Sequence, residues 1–152
     1  PVLILLVGLG AYLQRGGLDI RRGKQVTEWY EVQDWAKAES HRDALFILPP
    51  DQAGFRLYSL RASYGDWFDG TKAFFSAAYA NIWWHRMESL GCTNPETLAE
   101  DYRENSAAEF ELIWDTLSDQ HSEGYVICYA DMPLKGQELA FSNDKYLVYR
   151  LP

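Results

Sequence analysis

The chain of 152 residues has few of the side chains that usually bind metals, with two cysteines and three histidines. Cys92 and Cys128 form no Cys-x-x-Cys pair, the histidines are scattered, and no calcium-binding loop with alternating Asp or Asn occurs. We therefore expect neither a metal nor another cofactor. A disulfide between the two cysteines stays open as an alternative to two free buried thiols, which the spacing favours.

Motifs for nucleophilic catalysis are also absent. Ser59 and Ser63 lie in the sequence YSLRAS, which lacks the Gly-x-Ser-x-Gly pattern of many hydrolases. Neither cysteine has a histidine close to it in sequence. A catalytic triad assembled from distant residues leaves no local pattern, so the sequence does not exclude one. On the local motifs we assign no catalytic residue to this chain.

The charge of the chain is negative and unevenly distributed. Of a formal net charge of −8, residues 1–24 carry four basic residues and one acidic residue, hence +3, which leaves −11 for residues 25–152. Because nucleic acid binding depends on Lys and Arg that neutralise phosphates, the acidic body argues against a nucleic-acid partner. The basic residues, Arg15, Arg21, Arg22 and Lys24, suit lipid headgroups instead.

Residues 1–13, PVLILLVGLGAYL, carry no charge. They predict the end of a transmembrane helix over 1–14 and a basic linker over 15–25, because a complete span needs about 20 apolar residues. A cleaved signal peptide fits less well, since the charged start and the A-x-A end are absent. A third interpretation takes VLILLV as a strand that enters a dinucleotide-binding GxGxxG turn, but Leu13 replaces the third glycine.

Residues 26–152 alternate between helical and extended patterns. Apolar periodicity predicts helices over 26–39 and 77–90, another after Thr93, and one from Ser106 whose capping box includes Glu109. Extended runs are predicted at 44–48, 55–60, 125–130, 139–141 and 145–151, and the segment 62–75 is ambiguous. The order predicts an α/β domain, a three-layer sandwich on a mostly parallel sheet of four or five strands with a C-terminal β-hairpin.

Two polar clusters are candidates for ligand binding. The first combines Arg56, Ser59, Arg61, Asp66 and Lys72 with nearby aromatic rings, and its cations are unusual in an acidic domain. At the carboxyl end of a strand such residues would bind a phosphate, a carboxylate or a glycan. The alternative is an ion pair between Arg61 and Asp66, with the other charges in solvent.

Trp84 and Arg86 form the second cluster, on the predicted helix 77–90. An exposed Trp84 beside Arg86 would stack on a sugar ring. Trp83 belongs to the core face and Trp84 is turned about 100° from it. Burial of Trp84 against a neighbouring element is the competing interpretation and the favoured one.

Several short motifs carry a resemblance to a known group of proteins. They are Trp35-Ala36, Asp43-Ala44-Leu45-Phe46, Pro49-Pro50, Gly54-Phe55-Arg56, Ser59, Arg61, Asp66-Trp67 and Trp84-x-Arg86. In this order they resemble an uncharacterised C-terminal domain of bacterial multi-pass membrane proteins. The closing FSNDKYLVYRL, residues 141–151, is similar to the ends of membrane-embedded, lipid-linked glycosyltransferases of the oligosaccharyltransferase type.

That resemblance covers most of residues 26–151 and implies an α/β domain on the outer face of a membrane. It also implies that the catalytic residues lie in upstream transmembrane helices, which would be partners of this domain. The basic residues at 15–24 favour the cytoplasmic side by the positive-inside rule, so the side of the membrane stays open.

Three functions are therefore weighed. The first is a non-catalytic accessory domain that contacts a glycan or phosphate ligand, and the sequence favours it. The second is a structural module that assembles with the membrane portion through a Trp-rich surface. The third is an independent nucleotide-binding or hydrolase-like protein.

Overall fold

A computed structural model describes the backbone of residues 24–152 and the side chains of residues 28–152. The predicted membrane segment 1–14 and most of the predicted linker lie outside the described residues. The helices are α1 (Lys24–Glu39), α2 (Phe55–Ser59), α3 (Ala77–Ser89), α4 (Leu98–Arg103) and α5 (Ala107–Asp115), with 3₁₀ helices at Trp67–Phe74 and Ser118–Gln120. The strands are β1 (Leu45–Ile47), β2 (Ala62–Ser63), β3 (Gly124–Tyr129), β4 (Glu138–Ser142) and β5 (Tyr146–Arg150).

The five strands form one mixed sheet in the order β2-β1-β3-β5-β4. Strand β1 runs parallel to both β2 and β3, and Phe46 lies opposite Tyr125. Strands β4 and β5 form an antiparallel hairpin, and β5 pairs with β3 antiparallel. The predicted α/β class, the sheet of four or five strands and the C-terminal hairpin are confirmed, and two of the four strand pairings are parallel.

Strand β3 is the centre of the core, since all six of its residues are buried. Adjacent residues of a strand point to opposite faces of the sheet. Tyr125 contacts the ring of Trp35 in α1, whereas a Cβ at Gly124 would lie 2.6 Å from the ring of Trp114 in α5. Helix α1 and the side chain of Trp114 thus pack against opposite faces.

The predicted apolar faces of α1 and α5 are confirmed. Trp29, Val32 and Ala36 are buried, and the indole Nε1 of Trp29 donates to the carbonyl of Ala53 at 3.0 Å. In α5 the capping box of Ser106 and Glu109 is formed, and Phe110, Ile113 and Trp114 are buried. These helices follow their local signals because periodicity, capping and burial agree.

The prediction of an extended run over 55–60 is wrong, because this segment is helix α2. The alternating pattern FRLYSL suggested a strand, but only Phe55 and Ser59 are buried, and these are one helical turn apart. Gly54 with φ 81° and Leu60 with φ 56° bound the helix on either side. The strand of this region is the two-residue β2, which lies inside the segment that the sequence left ambiguous.

Helix α3 follows its prediction at one end and departs from it at the other. Met87 and Leu90 are fully buried, and Gly91 has the positive φ of 70° expected after a helix. Ile82, predicted on the core face, is 51% exposed because the first half of α3 packs on the 3₁₀ helix Trp67–Phe74 through Trp83 and leaves Ile82 uncovered. Only the second half reaches the main core.

Cys92 and Cys128 are free and fully buried, so the interpretation as two thiols is confirmed. Burial raises the pKa of both thiols to about 12. Among residues 24–152, no helix has the length and apolar character needed to cross a bilayer.

Candidate functional site

The loops that follow the parallel strands meet at one edge of the sheet, which we call the carboxyl edge. Strand β1 lies between β2 and β3, and the chain leaves β1 towards β2 but leaves β3 towards the hairpin. Connections that diverge in this way open a crevice, and ligands of open α/β sheets bind there. Three cavities of the described residues lie at this edge.

The first cavity holds a cluster of four charged side chains, of which the two carboxylates are buried. Asp69 is 5% exposed and accepts hydrogen bonds from Arg56 and from Lys72, whose Nζ lies 2.7 Å from Oδ1. Asp66 begins the 3₁₀ helix, where its Oδ1 accepts from the amide of Asp69 at 2.9 Å, and it lies 4.0 Å from Arg56. Two carboxylates and two cations therefore balance each other.

Burial and charge act differently on the two carboxyls. For Asp69, burial alone would raise the pKa, but the hydrogen bonds from Arg56 and Lys72 outweigh it and hold the pKa below 3.8. For Asp66, burial and the neighbouring charge of Asp69 raise the pKa above 3.8. Asp69 is therefore the firmly ionised member of the pair, and Asp66 is the member that takes up a proton first on acidification.

This cavity has a volume of about 250 Å³ and combines charged and apolar walls. Arg56, Asp66, Asp69 and Lys72 line it together with Gly54, Phe55, Leu57 and Phe68. Among the described residues, the buried oxygen Oδ2 of Asp69 has no hydrogen-bond partner. The exposed ring of Phe68 and the partly exposed Arg56 and Lys72 can contact a bound molecule, and a donor that reaches the buried Asp69 would satisfy its Oδ2.

Ser59 and Arg61, which the sequence grouped with this cluster, lie outside the cavity. Ser59 is fully buried, and its hydroxyl donates to the carbonyl of Phe55. Arg61 donates to the carbonyls of Lys37 and Ser40 at 2.6 and 2.9 Å, so it caps the end of α1. The alternative of an Arg61–Asp66 ion pair is wrong, because the two side chains bond to different partners.

Trp84 and Arg86 also lie away from the cavity, on α3. The indole of Trp84 donates to Glu88 at 2.8 Å and is partly exposed. The Arg86 guanidinium donates to the carbonyl of Tyr64 at 2.7 Å and lies over the Tyr64 ring. Arg86 therefore fastens α3 to the end of β2, and Trp84 stays at the surface.

Part of the chain is similar to a known protein family. A family described as a domain of unknown function (DUF6798) matches residues 27–90. This range contains every residue that lines the first cavity. No curated protein matches the chain. No solved structure matches it either.

Sequence reasoning missed Asp69, the centre of the charged cluster. It lies in the segment 62–75, where no helical or extended period is visible, and a 3₁₀ helix of three residues per turn explains that failure. The spacing Asp66-x-x-Asp69-x-x-Lys72 is the signal that was available, since residues three apart share a face of such a helix.

Asp51 is the other missed residue, at the crevice between β1 and β3. Its carboxylate accepts from the hydroxyl of Tyr129, at the end of β3, and from Gln52 at 2.9 Å. Burial and the bond to Asp51 raise the pKa of Tyr129. Asp51 follows Pro49-Pro50 directly after a strand, which is a pattern that sequence reasoning could have used.

Asp51 borders a second cavity of about 440 Å³, lined by Trp29, Tyr30, Gln33, Asp51, Gln52, Ala53 and Tyr58. The third cavity, of about 340 Å³, lies beyond Tyr129 and includes Arg103, whose guanidinium lies 3.9 Å from the centre of the Tyr129 ring. Arg103 also pairs with Asp131 at 3.1 Å. The carboxyl edge is therefore polar and aromatic along much of its length.

Proposed function

We propose that residues 26–152 are a non-catalytic accessory domain of a multi-pass membrane protein, of the lipid-linked glycosyltransferase type, and bind a glycan at the carboxyl edge. In this proposal residues 1–14 end a transmembrane helix, the domain lies on the outer face of the membrane, and its layers form a three-layer α/β sandwich. The resemblance of the sequence motifs supports the membrane assignment. The first cavity supports the ligand.

The observation that carries the ligand class is the balance of charge around Asp69. A phosphate gains little net attraction here, since the charges of Arg56 and Lys72 are already balanced by Asp69 and Asp66. Sugar hydroxyls both donate and accept hydrogen bonds, so they can bind the carboxylate and the ammonium without removing either partner. The exposed Phe68 ring at the cavity supplies a surface on which a sugar ring stacks.

Lys72 and Phe68 allow the site to be tested without removing its buried carboxylate. Lys72 is 55% exposed and Phe68 is also exposed, so Lys72→Gln and Phe68→Ala are expected to leave the domain folded. Arg150→Gln is the matched control, because Arg150 is a half-exposed cation paired with Glu123 at the opposite edge of the sheet.

The experiment measures binding of the full chain to uncharged oligosaccharides and to inorganic phosphate. Each of the two cavity variants is expected to weaken oligosaccharide binding by about tenfold, the loss of one hydrogen bond or one stacking contact, while Arg150→Gln binds normally. Phosphate binding that depends on Lys72, with no oligosaccharide binding, would replace the glycan by an anion. Absence of both would contradict the proposed function.

A further inference from the structure

The most exposed apolar side chains of the domain lie together at one corner. Phe74 and Phe75 are 90% and 92% exposed, at the end of the 3₁₀ helix Trp67–Phe74. We call them the Phe74–Phe75 tip. Residues 73–84, AFFSAAYANIWW, contain no charged side chain although the domain is strongly acidic. Exposed neighbouring phenylalanines are costly in water, which marks a surface that contacts something apolar.

The tip is a protrusion and not a groove. The 3₁₀ helix begins at Asp66, next to the end of β2, and α3 returns to the same place, where Arg86 donates to the carbonyl of Tyr64. Phe74 ends the 3₁₀ helix, and Phe75 follows it in the short turn to α3. Side chains about nine-tenths exposed have almost no contact with their own chain, so they suit insertion into a fluid phase better than a shaped protein pocket.

The base of this helical pair lies at the same edge of the sheet as the start of α1. Trp29, near the start of α1, bonds to the carbonyl of Ala53 in the loop after β1. The carbonyl of Glu28 accepts from Asn143 in the β4–β5 turn at 2.9 Å, and β5 begins beside the end of β3. The start of α1 is therefore at the carboxyl edge, and the uncharged residues 1–13 precede it in the chain.

We propose that the Phe74–Phe75 tip inserts into the interfacial region of a lipid bilayer and orients the carboxyl edge towards the membrane. Aromatic side chains favour this region, and the absence of charge from 73 to 84 removes the cost of dehydrating an ion. This inference concerns a contact separate from the glycan cavity.

A fluorescent probe on the tip tests this directly. In Phe75→Cys the new thiol is exposed, whereas Cys92 and Cys128 are fully buried with raised pKa values, so an environment-sensitive dye labels position 75 selectively. Leu112→Cys, at a position on α5 that is 66% exposed, is the control. Both full-length chains are mixed with phosphatidylcholine vesicles. These vesicles carry no net charge, so the basic residues at 15–24 are not attracted to them electrostatically.

The expected result is a brighter, blue-shifted emission at position 75 with vesicles and no change at position 112. Unchanged emission at 75, or equal changes at both positions, would overturn the proposal. A blue emission at 75 already present without vesicles would overturn it as well. In that case the emission is measured again after dilution. A shift back towards the red would show that a second copy of the chain had covered the tip, and an unchanged emission would show that a segment of the same chain covers it.

Partition of an unlabelled variant is the second measurement. Phe74→Ser combined with Phe75→Ser is expected to weaken vesicle binding by at least about tenfold relative to Leu112→Ser, since each inserted ring contributes through its buried apolar area. Equal binding of the two variants would contradict insertion of the tip. Neither measurement involves the glycan, so a failure here and a failure of oligosaccharide binding remain distinguishable.

Discussion

Arg61 at the amino edge of the parallel strands and Arg56 at the carboxyl edge differ in the groups that they bond to. At the amino edge, Arg61 donates to the backbone carbonyls that end α1 and to no carboxylate of the described residues. At the carboxyl edge, Arg56 and Lys72 donate to the carboxylate of Asp69 beside a cavity.

This difference separates a charge that supports the fold from charges at a candidate site. Removal of a side chain that bonds to the backbone lowers stability, whereas ion pairs beside a cavity can exchange partners with a ligand. Arg56 and Arg61 are five positions apart in the sequence, yet α2 carries one at the carboxyl edge and the other to the amino edge. The same residue type therefore serves a candidate site at one end and a helix cap at the other.

The largest expected effect is at the amino edge, for Gly124→Ala. The added Cβ would lie 2.6 Å from two carbons of the Trp114 ring, so the indole or the strand must move. We expect a loss of about 3 kcal/mol in the free energy of unfolding, measured by urea denaturation. Gly91→Ala is the control, because nothing lies within 4 Å of that position and only its positive φ of 70° opposes a side chain, at a cost of about 1 kcal/mol. Equal losses would show that the Trp114 contact is loose.

Arg61→Ala is expected to cost stability but not ligand binding. It removes the donors to Lys37, Ser40 and their neighbours, and the free energy of unfolding should fall by about 2 kcal/mol. Lys72→Gln should instead change binding more than stability. We expect a stability loss below about 1 kcal/mol and weaker oligosaccharide binding. Loss of binding in Arg61→Ala at temperatures where it is folded would remove the distinction between the two edges.

The two buried carboxyls should respond to pH with opposite signs. The pKa of Asp69 is lowered on folding, so its contribution is present above the ordinary pKa of 3.8 and is lost as the pH falls through the folded value. The pKa of Asp66 is raised, so its contribution is present below 3.8 and is lost as the pH rises through the folded value.

Asp69→Asn should therefore destabilise the domain at neutral pH, by about 1.5 kcal/mol, and by less in acid. Asp66→Asn, which keeps a residue suited to begin a helix, should stabilise it at neutral pH by less than about 1 kcal/mol, and the gain should shrink in acid. Urea denaturation at neutral pH and in acid measures the free energy of unfolding of both variants. Changes of the same sign at neutral pH would contradict the opposite pKa shifts of Asp66 and Asp69.

Leu60→Asn has the smallest expected effect, a gain. Leu60 has φ 56° at the end of α2 and is exposed, so its side chain contributes little while its backbone is strained. Asn tolerates this conformation better and should raise the free energy of unfolding by about 0.5 kcal/mol. A lower free energy of unfolding in this variant would show that the Leu60 side chain contributes more to stability than its exposure indicates.

Much of the fold follows from local patterns, because in α1, α5 and β3 periodicity and burial agree. Segment 55–75 resisted prediction because its pattern has no single period: α2 is one turn long, β2 has two residues, and a 3₁₀ helix follows. Two-residue strands and 3₁₀ helices owe their conformation largely to tertiary contacts. Here the amide of Tyr64 donates to the carbonyl of Phe46, and the indole of Trp83 donates to the carbonyl of Asp66 at 3.1 Å.

The candidate site was found only in part for the same reason. Arg56, Asp66 and Lys72 were identified as a charged cluster, and the structure brings them together. Asp69 was overlooked because its partners lie 13 residues before it and three residues after it, across a turn that the sequence does not reveal. Arg61 was grouped with them because it is close in sequence. Helix α2 contains Arg56 and ends before Arg61, and it places the two side chains at opposite edges of the sheet.

The most direct test of the carboxyl edge as a binding site is a map of backbone amide shifts by nuclear magnetic resonance, with the full chain titrated with an uncharged oligosaccharide. The account predicts shifts confined to the first cavity, at residues 54–57 and 66–72, and none at the amino edge around Arg61 and Gly124. Shifts centred on the amino edge, or none at saturating oligosaccharide, would contradict it.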